Sequence, residues 1–376
     1  MKKIWILYTG IGNGHKSVGE SIKHELETNQ KDDFRVEIFD SVEYANPVVF
    51  RAMVSLAVFL QKYNPRIFDY FYKLGNQMVK TTNPSWFSRL VIGLFSTKKF
   101  TKLIQKEQPD LVVSTYFLNN RQISFLKRRG LYDVPLISVI TDHICHNWFL
   151  NWQENVDWFV VPDRNVRMKF IEKGVSALKV CDFGIPIDGD FSSCLSLKPK
   201  GKTAATLSGP KLKILFFGGG GLGYETSLPY LSALAINQDL EIKFIAGKNR
   251  NLYQKAQKIT SVGKIEVVGY TNEVPQLMAW ADLVVSKAGG ITITESVNSE
   301  VPLVLIQSFG GHEKGNVDFV VENDLGVWCG SPDKLKSVVR DLNQNPKRIK
   351  KMQENCRRLA KRNATQDVAR LALETI

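Results

Sequence analysis

The stretch KILFFGGGGLG, residues 213–223, joins a short apolar run to a series of glycines. A second stretch of the same kind, ILYTGIGNGH at residues 6–15, lies near the start of the sequence. In parallel α/β proteins the first strand of a domain often runs into a glycine-rich turn that opens a helix. The repeated pattern therefore predicts two α/β domains, each beginning with a buried strand and a tight turn.

Short apolar runs recur after each stretch and are interpreted as buried strands, with helical segments between them. The first helix is predicted from Val18, Ile22 and Leu26, which lie four residues apart. Because strands that alternate with helices imply βαβ units, both sheets are predicted to be parallel. The predicted strands are residues 4–8, 36–39, 111–114, 136–140, 158–161, 213–217, 242–246, 265–268, 283–286 and 303–306.

The domain boundary is predicted in residues 188–211, which are rich in Gly, Ser, Thr, Pro and Lys and show little periodicity. This linker separates an N-terminal domain, residues 1–187, from a C-terminal domain, residues 212–376. The last helix of the second domain can pack back on the first. One insert in the first domain, residues 49–106, shows no pattern of short strands.

The chain has 376 residues, a formal net charge of +13 and 44% hydrophobic residues. This composition excludes a mainly disordered protein, and no apolar run reaches the roughly 18 residues needed to cross a bilayer. The insert 49–106 carries ten Lys and Arg against one Asp, interleaved with aromatic residues. Such a mixture favours contact with an anionic membrane surface. Helices with a solvated basic face are the alternative, and no nucleic-acid-binding motif accompanies the charge.

Five cysteines, an odd number, occur without any CxxC pair. This argues against a disulfide framework and a cysteine-based zinc site, and it fits a reducing cytoplasm. The N-terminal sequence MKKIWILYTG holds an apolar run too short for a signal peptide. We therefore expect a cytoplasmic protein that associates peripherally with the inner face of the cell membrane.

The C-terminal half holds two turns of the kind that bind phosphate: the glycines from residue 218 and the segment SKAGGITITE, residues 286–295. Backbone N–H groups and the dipole of a helix that starts there can hold a diphosphate, although either turn can be purely structural. Glu295 lies about one turn into the second helix, where it can accept from ribose hydroxyls or cap the helix. Tyr270 ends a strand, where it can stack on a base or pack on the surface.

A third loop, GGHEKGN at residues 310–316, gathers polar side chains of the kind that bind sugar hydroxyls. The candidate ligand-binding residues of this half are Gly219, Gly220, Gly221, Tyr270, Ser286, Lys287, Gly289, Gly290, Thr292, Glu295, His312, Glu313 and Asn316.

Together, these motifs resemble those of a known family of enzymes. The string VVSKAGGITITESVNSEVPLVLIQSFGGHEKGN, residues 284–316, resembles the donor-site signature of the monogalactosyldiacylglycerol synthase and processive diacylglycerol glucosyltransferase family. In the N-terminal half, TGIGNGHKS at residues 9–17 and TDHICHNW at residues 141–148 are similar to that family's glycine-rich loop and TD-x-x-x-H-x-x-W segment. VDWFVVPD at residues 156–163 and GIPI at residues 184–187 also match in order.

The resemblance implies the GT-B architecture, with two Rossmann-like parallel-sheet domains facing a central cleft. It implies a C-terminal domain that binds a UDP-sugar and an N-terminal domain that binds a lipid acceptor. Family members invert the anomeric centre and need no metal or other cofactor. The motif Asp188-Gly-Asp190 matches a metal-binding Asp-x-Asp only formally, because it follows GIPI at the edge of the linker. His312 departs from the family, which usually has Gln there, and this leaves the identity of the sugar open.

Inverting transfer requires a base that takes the proton of the acceptor hydroxyl. His15 is the first candidate, since it follows the glycine loop at the carboxyl end of the first strand; a structural His that holds the loop is the alternative. Asp142, at the end of another strand, either orients His15 or is the base itself. His143 and His146 are rival candidates, and one of them can instead only hydrogen-bond the loop. The predicted acceptor-side residues are Gly12, Asn13, Gly14, His143, His146 and Trp148.

Two other functions stay open at this point. The first is transfer of N-acetylglucosamine to an undecaprenyl-linked or lipopolysaccharide-type glycolipid, whose acceptor is also amphipathic. The second is a membrane-associated protein that binds a UDP-sugar without turnover, against which the joint presence of His15, Asp142, Glu295 and Asn316 argues. Either way, the expected partners are a UDP-sugar, a lipid and an anionic membrane surface, without nucleic acid.

Overall fold

The computed structural model describes residues 1–10, 13–28, 34–44, 98–197, 211–219, 224–307 and 312–376, with a few single positions between 52 and 70. Within these residues the chain forms two compact units. Met1–Asp188 and Asn363–Ile376 belong to the first unit, and Gly189–Phe309 and Glu313–Arg362 to the second. The last residues therefore join the first unit, although they follow the second unit in the sequence.

Each unit contains a six-stranded sheet whose strand pairs are all parallel. The first sheet has the order β2-β1-β3-β4-β5-β6, and the second has the order β12-β11-β10-β7-β8-β9. The strands are β1 (Lys2–Tyr8), β2 (Phe34–Asp40), β3 (Leu111–Ser114), β4 (Leu136–Val139), β5 (Trp158–Val160), β6 (Val180–Cys181), β7 (Leu212–Phe217), β8 (Leu240–Ile245), β9 (Lys264–Val268), β10 (Leu283–Lys287), β11 (Leu303–Gln307) and β12 (Gly326–Trp328).

Helices connect the strands and cover the sheets. In chain order they are α1 (Gly14–Thr28), α2 (Lys98–Glu107), α3 (Phe117–Arg128), α4 (Arg164–Glu172), α5 (Asp190–Ser193), α6 (Leu228–Ala235), α7 (Arg250–Gln257), α8 (Val274–Trp280), α9 (Gly290–Asn298), α10 (His312–Glu322), α11 (Pro332–Gln344), α12 (Pro346–Leu359) and α13 (Ala364–Thr375). Helix α13 lies against α1, where the Gln366 amide donates to Glu25. The hydroxyl of Thr365 bonds both the N–H and the carbonyl of Ile187.

Burial explains why the apolar runs become central strands. All four side chains from Ile4 to Leu7 are fully buried, which requires helices on both faces of the sheet. In α1 the apolar positions spaced by four, Val18, Ile22 and Leu26, are at most 1% exposed and face the sheet. The periodicity that predicted a helix at this place therefore describes its buried side.

Both sheets change the direction of their strand order beside the first strand of the unit. From β1 the chain adds β2 on one side and β3 to β6 on the other; from β7 it adds β8 and β9 on one side and β10 to β12 on the other. Ligands of open α/β sheets bind beyond the carboxyl ends of the strands at such a switch point. The turns after β1 and β3, and those after β7 and β10, are therefore where each unit is suited to bind a ligand.

The structure differs from the sequence prediction in a few places. Strands β6 and β12 were not predicted, because they contain only two and three residues. Part of the predicted linker is folded: α5 and a 3₁₀ turn over Cys194–Leu197 pack within the second unit, with Phe191 and Cys194 buried. The rest of the linker and most of the basic insert 49–106 lie outside the described residues. Of that insert, α2 is described, with Phe100 and Ile104 buried.

None of the five cysteines, all of which lie among the described residues, forms a disulfide. Burial raises the pKa of the Cys145 thiol to about 12 and that of Cys329 to about 11, despite nearby lysines that act in the opposite direction. None of the helices in the described part of the chain combines the length and the apolar character that crossing a bilayer requires.

Candidate active site

His15 lies at the switch point of the first unit, in the first turn of α1. Its Nδ1 is 3.2 Å from the hydroxyl oxygen of Thr141, which follows β4. Its ring also packs edge to face on the ring of Tyr116, with 4.8 Å between the ring centroids. Tyr116 follows β3. The carboxyl ends of β1, β3 and β4 thus converge on this imidazole. When the threonine oxygen accepts from Nδ1–H, the lone pair lies on Nε2, as a general base requires.

Asp142 directly follows Thr141 and belongs to the same group of residues. Burial raises the pKa of the Tyr116 hydroxyl, and the carboxylate of Asp142 raises it further. Tyr116 therefore stays protonated near neutral pH and can donate a hydrogen bond. The site combines an imidazole, a half-buried carboxylate and a phenol at one edge of the sheet.

The predicted acceptor-side residues do not all have the same surroundings. Asn13 is exposed, and its carbonyl accepts from the N–H of Ser17 at the start of α1, while Gly14 opens that helix. His146 is buried and precedes a 3₁₀ turn over Asn147–Leu150. Trp148, in that turn, packs on Phe117 at 5.4 Å between ring centroids. Gly12 lies outside the described residues.

His143 forms a hydrogen bond with the residue that caps a helix. Its Nδ1 is 3.0 Å from Oδ2 of Asp163, which caps α4 by accepting from the N–H of Val166. The two side chains are 7% and 18% exposed. Burial alone raises the pKa of Asp163, but the bond and charge of His143 and the bonds from backbone amides outweigh it and lower the pKa. Through this contact His143 positions the residue that caps α4, in addition to any role in binding an acceptor.

Asp163→Asn is expected to lower the free energy of unfolding by about 1–2 kcal/mol at pH 7, because Asn still caps the helix but lacks the carboxylate that the bonds from His143 and the backbone amides stabilise. A carboxylate with a lowered pKa stabilises the fold above its unfolded pKa of about 4, and the contribution is lost as pH falls through the folded value. The difference between the variant and wild type should therefore shrink below about pH 4. Urea unfolding at several pH values measures this, with the exposed Asp133→Asn as control; a difference that is independent of pH would contradict it.

In the second unit, the turn between β10 and α9 brings the predicted donor residues together. Gly289 is the N-cap of α9 in extended conformation, and Gly290 is its first residue. Ser286 is buried at the end of β10. Thr292 and Glu295 are half-buried in the first two turns of α9. The start of α9 therefore presents N–H groups at the carboxyl edge of the sheet.

Helix α10 supports this turn through two contacts. The ammonium of Lys287 is 2.9 Å from Oε1 of Glu313, which is only 2% exposed. The Asn316 amide donates to the carbonyl of Ala288 at 2.9 Å and is fully buried. The segments 286–295 and 313–316, separate in the sequence, thus form one cluster. His312 begins α10, but its side chain lies outside the described residues.

The glycine turn after β7 lies beside β10, since Phe216 pairs with Val285. A Cβ on Gly218 would come within 2.3 Å of the Phe244 ring, and Gly219 has a φ of +100°. These two glycines are therefore required by packing and by backbone conformation. Gly220 and Gly221 lie outside the described residues, so their predicted role stays a prediction.

Tyr270 follows β9 and is 62% exposed. The ammonium of Lys248 lies 4.6 Å from the centre of its ring, so one face of the ring is covered and the other can stack on a base. Asp188 and Asp190 are both exposed, and Asp190 begins α5. The described residues contain no group of three His, Cys, Asp or Glu side chains that could hold a metal ion.

Three residues near His15 were not predicted as site residues: Tyr116, Thr141 and Arg121. Tyr116 carries the signal that pointed to Tyr270, an aromatic residue two positions after the end of a strand. Thr141 is adjacent to the predicted Asp142. Arg121 had no signal, because an arginine four residues into a polar helix is expected to be exposed.

Comparisons with known proteins match each half of the chain to a protein-family model. Residues 15–187 match the family model described as Monogalactosyldiacylglycerol (MGDG) synthase, and residues 215–370 match the Glycosyltransferase family 28 C-terminal domain. The chain is 26% identical over 375 residues to "Probable monogalactosyldiacylglycerol synthase, chloroplastic" of Glycine max, covering 96% of this chain and 69% of that protein. It is 26% identical over 355 residues to "Processive diacylglycerol beta-glucosyltransferase" of Staphylococcus epidermidis, covering 93% and 87%.

Solved structures share the fold. The MurG structure of Acinetobacter baumannii has a TM-score of 0.65 at 16% identity and covers 100% of both chains. The Staphylococcus aureus MnaA-UDP co-structure has a TM-score of 0.64 at 14% identity, covering 100% of this chain and 98% of that one. The predicted GT-B fold, with two Rossmann-like α/β domains, is confirmed. Residues 15–187 therefore belong to the monogalactosyldiacylglycerol synthase family, and residues 215–370 form a glycosyltransferase family 28 C-terminal domain.

Proposed function

We propose that this protein transfers a hexose from a UDP-sugar to a membrane lipid such as diacylglycerol, with inversion at the anomeric carbon. The observation that carries the proposal is the pair of sites at the two switch points, each matched by its own family model. One edge offers a base with donors around it, as an acceptor hydroxyl requires. The other offers a helix start with a lysine beside it, as a diphosphate requires.

On the donor side, the diphosphate accepts hydrogen bonds from the N–H groups at the start of α9, and Lys287 contributes a positive charge. Glu295 accepts from the ribose hydroxyls, and the open face of Tyr270 stacks on the uracil. Glu313 and Asn316, held against the same turn, lie where the sugar hydroxyls are bound. His312 is the residue at which a sugar preference can differ within the family.

On the acceptor side, Nε2 of His15 takes the proton of the lipid hydroxyl while its oxygen attacks the anomeric carbon. The bond from that carbon to the diphosphate breaks, and UDP leaves with the electron pair. Attack opposite the leaving group converts an α-linked donor into a β-linked product. Thr141 holds the imidazole, and Asp142 stabilises its protonated form.

The experiment that tests the proposal is a matrix of donors and acceptors. The purified protein is incubated with radiolabelled UDP-glucose, UDP-galactose or UDP-N-acetylglucosamine and with diacylglycerol or a total lipid extract, and label in the organic phase is measured. We expect hexose transfer to diacylglycerol, with a β linkage by NMR. Transfer of N-acetylglucosamine alone would indicate the other glycolipid reaction, and UDP binding without transfer would indicate a protein that has lost turnover; either result contradicts the proposal.

EDTA is expected to leave transfer unchanged, within about twofold, because the helix start and Lys287 supply the positive potential that a divalent ion supplies elsewhere. Initial rates with and without the chelator measure this. Activity that falls at least about tenfold and returns with added Mg²⁺ or Mn²⁺ would contradict metal independence and direct attention to Asp188 and Asp190.

The protein is expected to bind vesicles that contain anionic lipid and to be released by salt, because basic residues attract such surfaces within a Debye length. Four lysines of the insert are exposed on α2, opposite its buried Phe100 and Ile104. Co-sedimentation with phosphatidylglycerol and phosphatidylcholine vesicles measures the effect. Changing Lys98, Lys99 and Lys102 to Glu should weaken binding several-fold, whereas the same change at the exposed Lys255 and Lys258 should not. Equal binding to both lipids would contradict the electrostatic role.

A further inference from the structure

Arg121 is a buried cation without a hydrogen-bond partner in the described part of the chain. It lies in α3, directly after the strand that ends at the switch point, and is 1% exposed. Its Nε, Nη1 and Nη2 atoms are all buried and none meets an acceptor among the described residues. A guanidinium in this state loses the hydrogen bonds that water makes to its five N–H groups, and no acceptor of the described residues replaces them.

Aromatic rings surround this guanidinium. Its central carbon is 5.1 Å from the centre of the Trp148 ring and 5.6 Å from that of Phe117. Such contacts offset part of the lost solvation but satisfy no N–H group. Burial lowers the pKa of Arg121 to about 10, so the group remains charged at neutral pH. The buried Nε1 of Trp148 also has no acceptor within the described residues.

A continuous row of rings connects Arg121 to His15. The His15 ring contacts Tyr116 at 4.8 Å, Tyr116 contacts Phe117 at 4.4 Å, and Phe117 contacts Trp148 at 5.4 Å. Arg121 lies against the last two of these rings. The unpartnered donors are therefore at the apolar end of the same site whose polar end holds the base.

We propose that Arg121 and the indole N–H of Trp148 bind the ester carbonyl oxygens of a glycerolipid acceptor whose free hydroxyl reaches His15. The inference rests on the proposed function, since it assigns the acceptor subsite of that reaction. In diacylglycerol both ester groups lie within a few bonds of the free hydroxyl and carry only acceptors on their carbonyls. A forked guanidinium can bond two carbonyl oxygens at once, and the rings suit the chain carbons next to them.

The surroundings favour a neutral acceptor over an anionic headgroup. The carboxylate of Asp142 raises the pKa of the Tyr116 hydroxyl, so negative charge is already present at the His15 end of the row of rings. A phosphate bound here would meet that carboxylate in surroundings of low polarity, where repulsion is large. Ester carbonyls accept strongly without adding charge.

The test compares acceptors with and without ester carbonyls. Transfer to 1,2-diacylglycerol and to 1,2-dialkylglycerol, its ether-linked analogue of equal chain length, is measured in the same mixed micelles for wild type, Arg121→Met and Arg121→Lys. Wild type is expected to prefer the diester by about 10- to 100-fold in kcat/KM, as for hydrogen bonds to a charged donor. Arg121→Met should lose the diester rate and most of the preference, and Arg121→Lys should keep an intermediate preference.

The matched control is Arg129→Met, since Arg129 also lies against a ring, that of Phe125 at 5.4 Å, but is exposed at the end of the same helix. It should keep the preference. Thermal unfolding adds a second readout: Arg121→Met removes an unpaired buried charge, so its Tm should equal or exceed that of wild type.

Three results would overturn the inference: a wild type that uses both acceptors equally, an Arg121→Met variant that keeps the preference, or one whose Tm falls well below that of Arg129→Met. An Arg121→Met variant that keeps the diester preference but binds vesicles containing anionic phospholipid several-fold more weakly than wild type would assign Arg121 to a headgroup and also overturn it. A wild type that transfers sugar to neither acceptor would instead refute the proposed function on which it rests.

Discussion

His15→Ala is expected to lower sugar transfer at least about a hundredfold, because an alcohol is a poor nucleophile near neutral pH without a positioned base. The imidazole is the group on which the carboxyl ends of three strands converge, and Thr141 fixes the orientation of its ring. Binding of UDP should survive, since the predicted donor residues other than His312 belong to the second unit. Initial rates and calorimetric titration with UDP measure the two effects separately.

The matched control for this variant is His24→Ala, a change to an exposed histidine of the same helix. It should leave transfer unchanged. Asp142→Asn and Thr141→Val then distinguish the base from the residues that orient it. If Asp142→Asn, and not His15→Ala, caused the hundredfold loss of transfer, Asp142 would be the base. Near-normal transfer by His15→Ala would contradict the assignment of His15 and restore the alternative of a loop-holding histidine.

Lys287→Met is expected to lower transfer by about 100- to 1000-fold, the range for removing one group that stabilises charge in the transition state. It should also destabilise the second unit, because Glu313 is almost fully buried and loses the ammonium at 2.9 Å. We expect roughly 2 kcal/mol, less than for a fully buried pair, since a third of the Lys287 side chain is exposed.

A second substitution separates the two effects. In Lys287→Met combined with Glu313→Gln, the buried charge is gone, so the stability should return to near that of wild type. Transfer should stay low, because the positive charge beside the diphosphate is still missing. Glu313→Gln alone is the reference for any contact that Glu313 makes with the sugar. If transfer recovers together with stability in the double variant, Lys287 acts only by neutralising Glu313.

Much of the fold could be predicted from the sequence because the central strands of parallel sheets are continuous apolar runs. Ile4 to Leu7 is such a run, and its burial on both faces is what makes it recognisable. Edge strands as short as β6 and β12 contain too few residues to form a recognisable apolar run. The folded turns at residues 190–197 were missed for a similar reason, since only Phe191 and Cys194 are buried there.

The candidate site could be predicted only where a residue lies in or beside a turn at a switch point. His15, Asp142, Gly289 and Lys287 all do so. Helix α3 carries no sequence signal of its burial: Asn119 to Gln122 are all polar, yet all four residues are buried. The pairing of His143 with Asp163 was equally hidden, because it joins two loops twenty residues apart.

The packing of α13 on α1 has a consequence for how the protein is made. During translation the chain emerges from the ribosome with its N-terminus first. Residues 1–188 are therefore outside the ribosome well before α13, the helix that completes their unit. During the synthesis of residues 189–362, the buried partners of α13, such as the backbone of Ile187, have no cover. The N-terminal unit is therefore expected to mature only after translation of residues 363–376. A nascent chain stalled before residue 363 should be more sensitive to protease than residues 1–376 held on the ribosome by an added C-terminal tether.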